Sequence, residues 1–429
     1  MENFKEMKVT YVNPNGLKVL NIKNYSSKEI EIATTVLKRF GFQCPIVTDN
    51  NENVVFGDLL LRAAQKLGIK TVPTVEINNL SKKEIKAFSV AINKISEMGD
   101  FDLSTLKTEI QDLLSDMEIK ISPEELGFSS IELDNLLFDC SLDNKQSLEP
   151  EQEEILPDEI ISTVKTGDLI RLGNHMLLCG SALKTESFVN LLGSDKAKIV
   201  ITDPPYNVKI SDNVTKQKHH KEFVNASGEM SEDEFENFLT ESFNNLKVFS
   251  VDNSIHYIFM DWRHIGEIQS AGKKVYPKYL NLCIWNKLTG GMGSFYRSQH
   301  ELCFVYQNGT GRHINNIELG KNGRNRTNVW DYKGMNVSTR QAKTLRKLHP
   351  TVKPTAMLMD IMLDSSEYDD IVLDCFGGSG STLIAAEQCG RQARLIEISP
   401  HYCDVIISRW EKLTGKKHEI ISNGEVING

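Results

Sequence analysis

The chain has 429 residues, 40% hydrophobic and 25% charged, with a formal net charge of −9. This fits a folded globular protein too long for one ordinary core, so two or three domains are expected. No apolar run approaches the roughly 20 residues of a membrane span, and the opening MENFKEMKVT lacks a signal-peptide core, so a cytoplasmic protein is expected.

The first hundred residues alternate short strands and helices. SSKE at Ser26–Glu29 is a capping box opening the helix KEIEIATTVLKRF, and Gly41 ends it. PIVTDNNENVVFG reads as a hairpin, DLLLRAAQKLG as a helix closed by Gly68, TVPTVEI as a strand and SKKEIKAFSVAINKISEMG as a long helix. From 101 to about 140 the pattern is short and helical. SLDNKQSLEPEQEEILPDEI then reads as a polar, acidic linker. Residues 161–418 alternate strands and helices again, which predicts a mainly parallel sheet covered on both faces. The tail after Lys417 reads as frayed, and no internal repeat is present.

Charge is unevenly placed. Residues 101–162 hold 17 acids and three lysines, so the rest of the chain is net positive. Between Val305 and Pro350 nine Lys/Arg stand against Glu318 and Asp331. Such a stripe suits a phosphate backbone, with Arg324, Arg326, Arg340 and Lys343 as the candidate DNA contacts; a solvated basic loop is the alternative. The eight cysteines form no CxxC pair or zinc-like cluster, so they read as small buried hydrophobes and no metal is expected. KQKHHKE (Lys216–Glu222) reads as a solvated loop, and Trp262 in FMDWRH as a packing residue.

Two strand ends carry the chemistry. AKIVIT (Ala197–Thr202) is a short β-branched strand, and Asp203-Pro204-Pro205-Tyr206 stops it in a rigid turn. The Asp203 carboxylate and the Pro204 carbonyl can accept from an exocyclic amino group, with Tyr206 as a stacking face. Downstream, IVLDC runs into FGGSG (Phe376–Gly380) and the helix STLIAAEQCG. ARLIEIS follows, ending at Glu397, about twenty residues beyond the glycines. An acid there hydrogen-bonds ribose hydroxyls in a Rossmann-like unit. The spacing is not GxGxxG, which disfavours a dinucleotide.

From Val164 to Gly415 the chain resembles the prokaryotic and phage DNA amino-methyltransferases that use S-adenosyl-L-methionine. TDPPYNV matches their catalytic motif, LDCFGGSGST the cofactor loop, RLIEISPHYCDVIISR the ribose-acid segment and HPTVKPTAMLMDIML the segment on the methionine end of the cofactor. The catalytic motif precedes the loop, which is the β-class order. The resemblance implies Asp203, Pro204, Pro205 and Tyr206 as catalytic. It implies Asp374, Phe376, Gly377, Gly378, Gly380, Thr382, Glu397, Lys353 and Thr355 as cofactor contacts. Ser181 stands where the family has an aspartate against the adenine, a weaker acceptor. The first hundred residues are similar to the ParB/sulfiredoxin-like domain. Asp58 and Leu60 in GDLLLRAA replace its His and Arg, and Arg62 would point differently.

The implied fold is α/β, a Rossmann-like methyltransferase sheet preceded by a smaller α+β ParB-like domain. Its divisions are 1–100 ParB-like, 101–160 acidic connector, 161–418 methyltransferase and 419–429 tail. The implied activity is of the restriction–modification type: transfer of a methyl from S-adenosyl-L-methionine to adenine N6 in double-stranded DNA. Cytosine N4 methylation and a non-catalytic DNA-binding regulator are the rivals. A homodimer is compatible with this reading, and neither the recognition sequence nor a partner nuclease is legible.

Overall fold

The computed structural model describes residues 7–19, 23–96, 98–99, 101–115, 119, 121–138, 163–207, 228–291, 295–320, 324–334, 352–422 and 425–428. The chain forms two compact units, Met1–Asp139 and Cys140–Gly429.

The first unit runs β1 (Val9–Val12), β2 (Lys18–Val19), α1 (Ser27–Phe40), β3 (Ile46–Asp49), β4 (Asn53–Phe56), α2 (Asp58–Lys66), β5 (Val72–Ile77), α3 (Lys82–Ile95), α4 (Leu103–Ser115) and α5 (Ser130–Phe138). Its sheet has the order β1-β5-β3-β4-β2, with β3 and β4 pairing as an antiparallel hairpin. Reciprocal capping boxes at Ser26/Glu29 and Ser81/Glu84 open α1 and α3, satisfying backbone donors that a helix start leaves unpaired. Leu37, Ile46, Val54, Leu61 and Val72 form its core. The helices after residue 100 belong to this unit and do not stand apart as a connector. Arg39 Nη2, for example, donates to the Ile119 carbonyl at 2.7 Å. The acidic stretch 141–160 lies outside the described residues.

The second unit contains β6 (Leu169–Leu172), β7 (His175–Cys179), α6 (Thr185–Leu192), β8 (Ala197–Thr202), α7 (Glu232–Val248), β9 (Ser250–Met260), α8 (Ile265–Val275), β10 (Lys278–Asn286), β11 (His300–Asn308) and β12 (Val329–Asp331). It continues with α9 (Thr355–Ser365), β13 (Ile371–Asp374), α10 (Ser381–Gln388), β14 (Gln392–Glu397), α11 (Pro400–Thr414), β15 (Glu419–Ser422) and β16 (Glu425–Asn428). Among the described residues its eleven strands follow the order β12-β10-β11-β9-β8-β13-β14-β7-β6-β15-β16. Only the centre, β9-β8-β13-β14-β7, is a continuous parallel block. Antiparallel pairs flank it on both sides, so the sheet is mixed where the alternation predicts a mainly parallel one. The expected frayed tail is also corrected: β15 pairs with β6, and β16 with β15.

The topology positions the site. From β8 the chain proceeds to β9 on one side, then returns as β13 on the other side of β8. That reversal opens a crevice at the carboxyl ends of β8 and β13, where ligands bind in open α/β sheets. β11 runs antiparallel to β9 and pairs Leu302 with Met260, so the β10–β11 connection projects from the same edge. Among the described residues no helix is long and apolar enough to cross a membrane.

Candidate active site

β8 brings Asp203 and Tyr206 to the carboxyl edge, and the two prolines end the ladder there. Tyr206 Oη donates to Asp203 Oδ1 at 2.5 Å. Lys353, two residues before α9, places its ammonium 2.5 Å from Asp203 Oδ2 and 3.0 Å from Glu301 Oε2. Lys287 closes the cluster at 2.5 Å from Glu301 Oε1. The Lys353 nitrogen also lies 4.9 Å from the Phe259 ring centre, 5.6 Å from Tyr206 and 5.8 Å from Trp285, a cation enclosed by aromatic faces.

The two carboxylates share this ammonium unequally. Burial opposes ionisation at Glu301, but Lys353 and Lys287 outweigh it and hold the carboxyl down at about 2. At Asp203, burial, reinforced by the Glu301 charge, outweighs Lys353 and leaves the carboxyl above its ordinary value. Burial works against the charge on Lys353 too, yet Asp203 and Glu301 together hold it above the usual lysine range. Burial and the same carboxylates push Tyr206 well up, so it remains a neutral donor.

The glycine loop is built on the neighbouring strand end. Gly378 has φ 52° and donates its N–H to Glu397 Oε2 at 2.7 Å; Ser399 N–H binds Glu397 Oε1 at 2.8 Å. Gly380, at φ 82°, caps α10 where a Cβ would lie 2.8 Å from Ile406 Cγ1, so only glycine fits. Burial pushes Glu397 up to about 7. Each Glu397 oxygen has one backbone donor and retains acceptor capacity for a ribose hydroxyl, and the glycine backbone is open to close approach. These residues therefore fit an adenosyl cofactor. Gly377 donates to the Ile396 carbonyl at 2.9 Å, and Phe376 packs 5.8 Å from Phe238. Arg409 of α11 braces the loop from behind, Nη1 donating to the Ser379 carbonyl at 2.7 Å.

The other expected cofactor contacts have partners within the fold. Asp374 and Thr382 face each other: Asp374 accepts from Thr202 Oγ1 at 2.8 Å, Thr382 Oγ1 at 2.7 Å and Phe376 N–H at 3.1 Å. This is a strut joining β8, β13 and α10, and burial pushes its carboxyl up to about 7. Lys353, expected at the methionine end of the cofactor, has its ammonium on Asp203 and Glu301. Thr355 is the buried first residue of α9. The Ser181 hydroxyl accepts from Leu183 N–H at 3.3 Å, beside the backbone pair Gly180 N–H to Glu397 carbonyl.

The basic stripe needs the largest correction. Arg324, only 4% exposed, binds Asp360 and Asp364 at 2.9 and 2.8 Å. Arg326 binds the same two acids at 2.9 and 3.1 Å, and Tyr332 joins them. Two guanidiniums paired this way inside the fold are not phosphate contacts. Arg340, Lys343 and the KQKHHKE segment lie outside the described residues. Aromatics at the carboxyl edge also depart from the sequence reading. Trp262, read as a packing residue, is 50% exposed under the Arg263 guanidinium. Phe295 and Tyr296, between β10 and β11, were not singled out and are 87% and 82% exposed.

The family model described as DNA methylase, of the N6/N4 methyltransferases, matches residues 197–408. Type II methyltransferase M.HpaI of Haemophilus parainfluenzae is 26% identical over 251 residues, covering 55% of this chain and 74% of that protein. Type II methyltransferase M.ScaI of Streptomyces caespitosus is 33% identical over 89 residues, 21% of this chain and 29% of that protein. The solved structure of PvuII DNA methyltransferase (cytosine-N4-specific) matches at TM-score 0.43 and 16% identity, covering 57% of this chain and 91% of that one.

Proposed function

We propose, from the premise that residues 197–408 form a DNA methylase domain of the N6/N4 family, that this protein methylates the exocyclic amino group of a base in duplex DNA, and that the base is adenine. One observation carries the reading. The Asp203–Tyr206 turn and the Gly378–Glu397 loop leave adjacent strands, and the Thr202–Asp374 hydrogen bond at 2.8 Å holds those ends together.

S-adenosyl-L-methionine, when bound, supplies an electrophilic methyl on a sulfonium whose sulfur leaves as a neutral thioether. Glu397, Gly378 and the backbone from Phe376 to Gly380 would hold its nucleoside, with Ser181 as a further acceptor. Asp203 and the Pro204 carbonyl accept from the target amino group and turn its lone pair outward, and the proline rings make that geometry rigid. The nitrogen carries a surplus proton once it is methylated. Asp203, held above its ordinary carboxylate value, is placed to receive it. No group needs to move far, so positioning supplies most of the rate.

The target atom is inaccessible in a stacked duplex, so the base is flipped out. Trp262, Phe295 and Tyr296 at the same edge offer exposed rings to nucleic-acid bases. Asp rather than Ser before Pro-Pro-Tyr favours adenine by resemblance. Arg340 and Lys343 remain the proposed backbone contacts. The first unit is read as a ParB-like module that positions DNA or a partner. Its Asp58 accepts from Tyr25 Oη at 2.8 Å at the start of α2, where a nucleotide phosphate would meet a carboxylate. Nucleoside mass spectrometry of unmethylated DNA treated with the enzyme and cofactor tests the function: N6-methyladenine is expected, N4-methylcytosine would change the base, and no methylated nucleoside would overturn the reading.

A further inference from the structure

The Lys353 ammonium sits on Asp203, the acceptor that the proposed function gives to the target amino group. It lies 2.5 Å from Asp203 Oδ2, and Tyr206, Phe259 and Trp285 surround it. Its second carboxylate, Glu301 at 3.0 Å, enters from β11 and is not part of the Asp203 turn. Lys287 holds the other Glu301 oxygen and fixes that carboxylate in place. The aromatic enclosure offers the ammonium no other anion among the described contacts. We propose that Lys353 is an internal occupant of the amine position, and that Glu301 is a positioning residue that retains the Lys353 ammonium when the target base takes over Asp203.

This rests on the methyltransferase reading above and deepens it. A cation left on Asp203 would neutralise the acceptor just as positive charge develops on the attacking nitrogen. Glu301 removes that conflict without moving Lys353 far, because both carboxylates already share one ammonium. The groups facing Lys353 are Asp203 and Tyr206 from the β8 turn, Glu301 and Cys303 from β11 and, through Glu301, Lys287 after β10. Of these only Glu301 can hold the ammonium while leaving Asp203 free, since Tyr206 is neutral and Lys287 is itself a cation.

The test uses the full chain and measures tritiated methyl transfer to unmethylated bacterial DNA from pH 6 to 10, with cofactor binding followed by calorimetry. Glu301→Gln leaves the ammonium no carboxylate but Asp203, so turnover should fall about 10²-fold, the scale of losing one polar group at a reacting centre, with cofactor affinity kept. Turnover in Glu301→Gln should climb as pH rises and Lys353 deprotonates, against a flatter wild-type profile. Glu301→Asp should recover part of the loss. The double variant Glu301→Gln/Lys353→Met, which removes the competing cation, should exceed the single variant at least about tenfold; a purely structural role for Glu301 would make the double variant worse. Wild-type turnover in Glu301→Gln, or a double variant no better than the single one, overturns the inference while leaving the activity established. A wild-type enzyme that binds cofactor but methylates no DNA overturns the underlying reading and the inference with it. Should Glu301→Gln fail to bind cofactor, the comparison passes to Glu301→Asp, whose pH profile must then shift in the same direction.

Discussion

Two buried ion clusters meet α9 in this molecule, and they differ in kind. Beside its N-terminus, Lys353 bridges Asp203 and Glu301. Along its length, Arg324 and Arg326 bind Asp360 and Asp364. The second cluster is closed: two planar guanidiniums meet two carboxylates through fixed forks, and Arg cannot give up its charge. The first turns on Lys353, a point charge on a flexible stem shared between acids from different strands, with Lys287 on Glu301 alone. On the proposed function, buried charge thus serves fastening in one place and chemistry in the other, and the kind of cation distinguishes them.

Breaking the closed cluster should give the largest effect. Arg324→Leu leaves the buried Asp364 and the half-buried Asp360 with one cation, and removing one partner of a buried pair costs about 3–5 kcal/mol. The unfolding transition should fall by roughly 10 °C, while the salt dependence of DNA binding by the folded variant stays as in wild type. A melting temperature within about two degrees of wild type would mean the cluster fastens nothing.

Asp203→Ala attacks the open cluster. Methyl transfer should drop about 10²–10³-fold, with cofactor affinity and melting temperature little changed, because Glu301 still holds Lys353. Retention of more than about a third of wild-type turnover would remove Asp203 from the chemistry, given that expected scale.

How much of this was legible follows from how local each signal is. The Asp-Pro-Pro-Tyr stop, the glycine turn and the Glu397 strand end obey rules that act within a few residues, and the structure brings them to adjacent strand ends. Glu301 was not legible as a site residue. It meets Tyr206 across 95 positions only because β10 and β11 fold back antiparallel beside β9, and strand pairing of that kind leaves no mark in periodicity. Arg324 and Arg326 were misread because a charge count ignores partners. The available signal was DIMLD, two acids four apart in an otherwise apolar buried helix, which demands nearby cations. The tail carried Asn-Gly between apolar residues in EIISNGEVI, a hairpin signal that outweighs its terminal position.

A third prediction uses pH to compare carboxylates. Glu397 and Asp374 are each pushed up to about 7, from ordinary values of 4.5 and 3.8. A folded value above the unfolded one stabilises most fully below the unfolded value, and the gain is lost as pH rises through the folded value. The cofactor-free protein should therefore lose stability from about pH 5 to 8. Glu397→Gln should flatten part of that loss and weaken cofactor binding, because an amide nitrogen cannot accept from Gly378 or Ser399. Glu301, held at about 2, has the opposite sign: its contribution is present above 4.5 and lost as pH falls through 2. A melting temperature that stays level between pH 5 and 8 would contradict the assignment for Glu397 and Asp374.

The smallest effect concerns which cations reach DNA. Nine Lys/Arg between Val305 and Pro350 look alike in the sequence, yet Arg324 and Arg326 are held by acids of α9. Phosphate contact releases condensed counterions, so each lost contact lowers the log–log salt slope by about 0.9. Arg340→Gln with Lys343→Gln should thus reduce the slope by about 1.8 and weaken binding evenly across sequences, leaving turnover on saturating DNA close to wild type. Conservative variants of the closed cluster, Asp360→Asn and Asp364→Asn, should reduce stability and leave the slope alone, since they change no contact with phosphate. Binding isotherms between about 50 and 200 mM salt, the range over which counterion release acts strongly, separate the two sets. Equal slopes for wild type and the Arg340/Lys343 variant would place the DNA backbone elsewhere, with the exposed aromatic edge at Trp262, Phe295 and Tyr296 as the next surface to mutate.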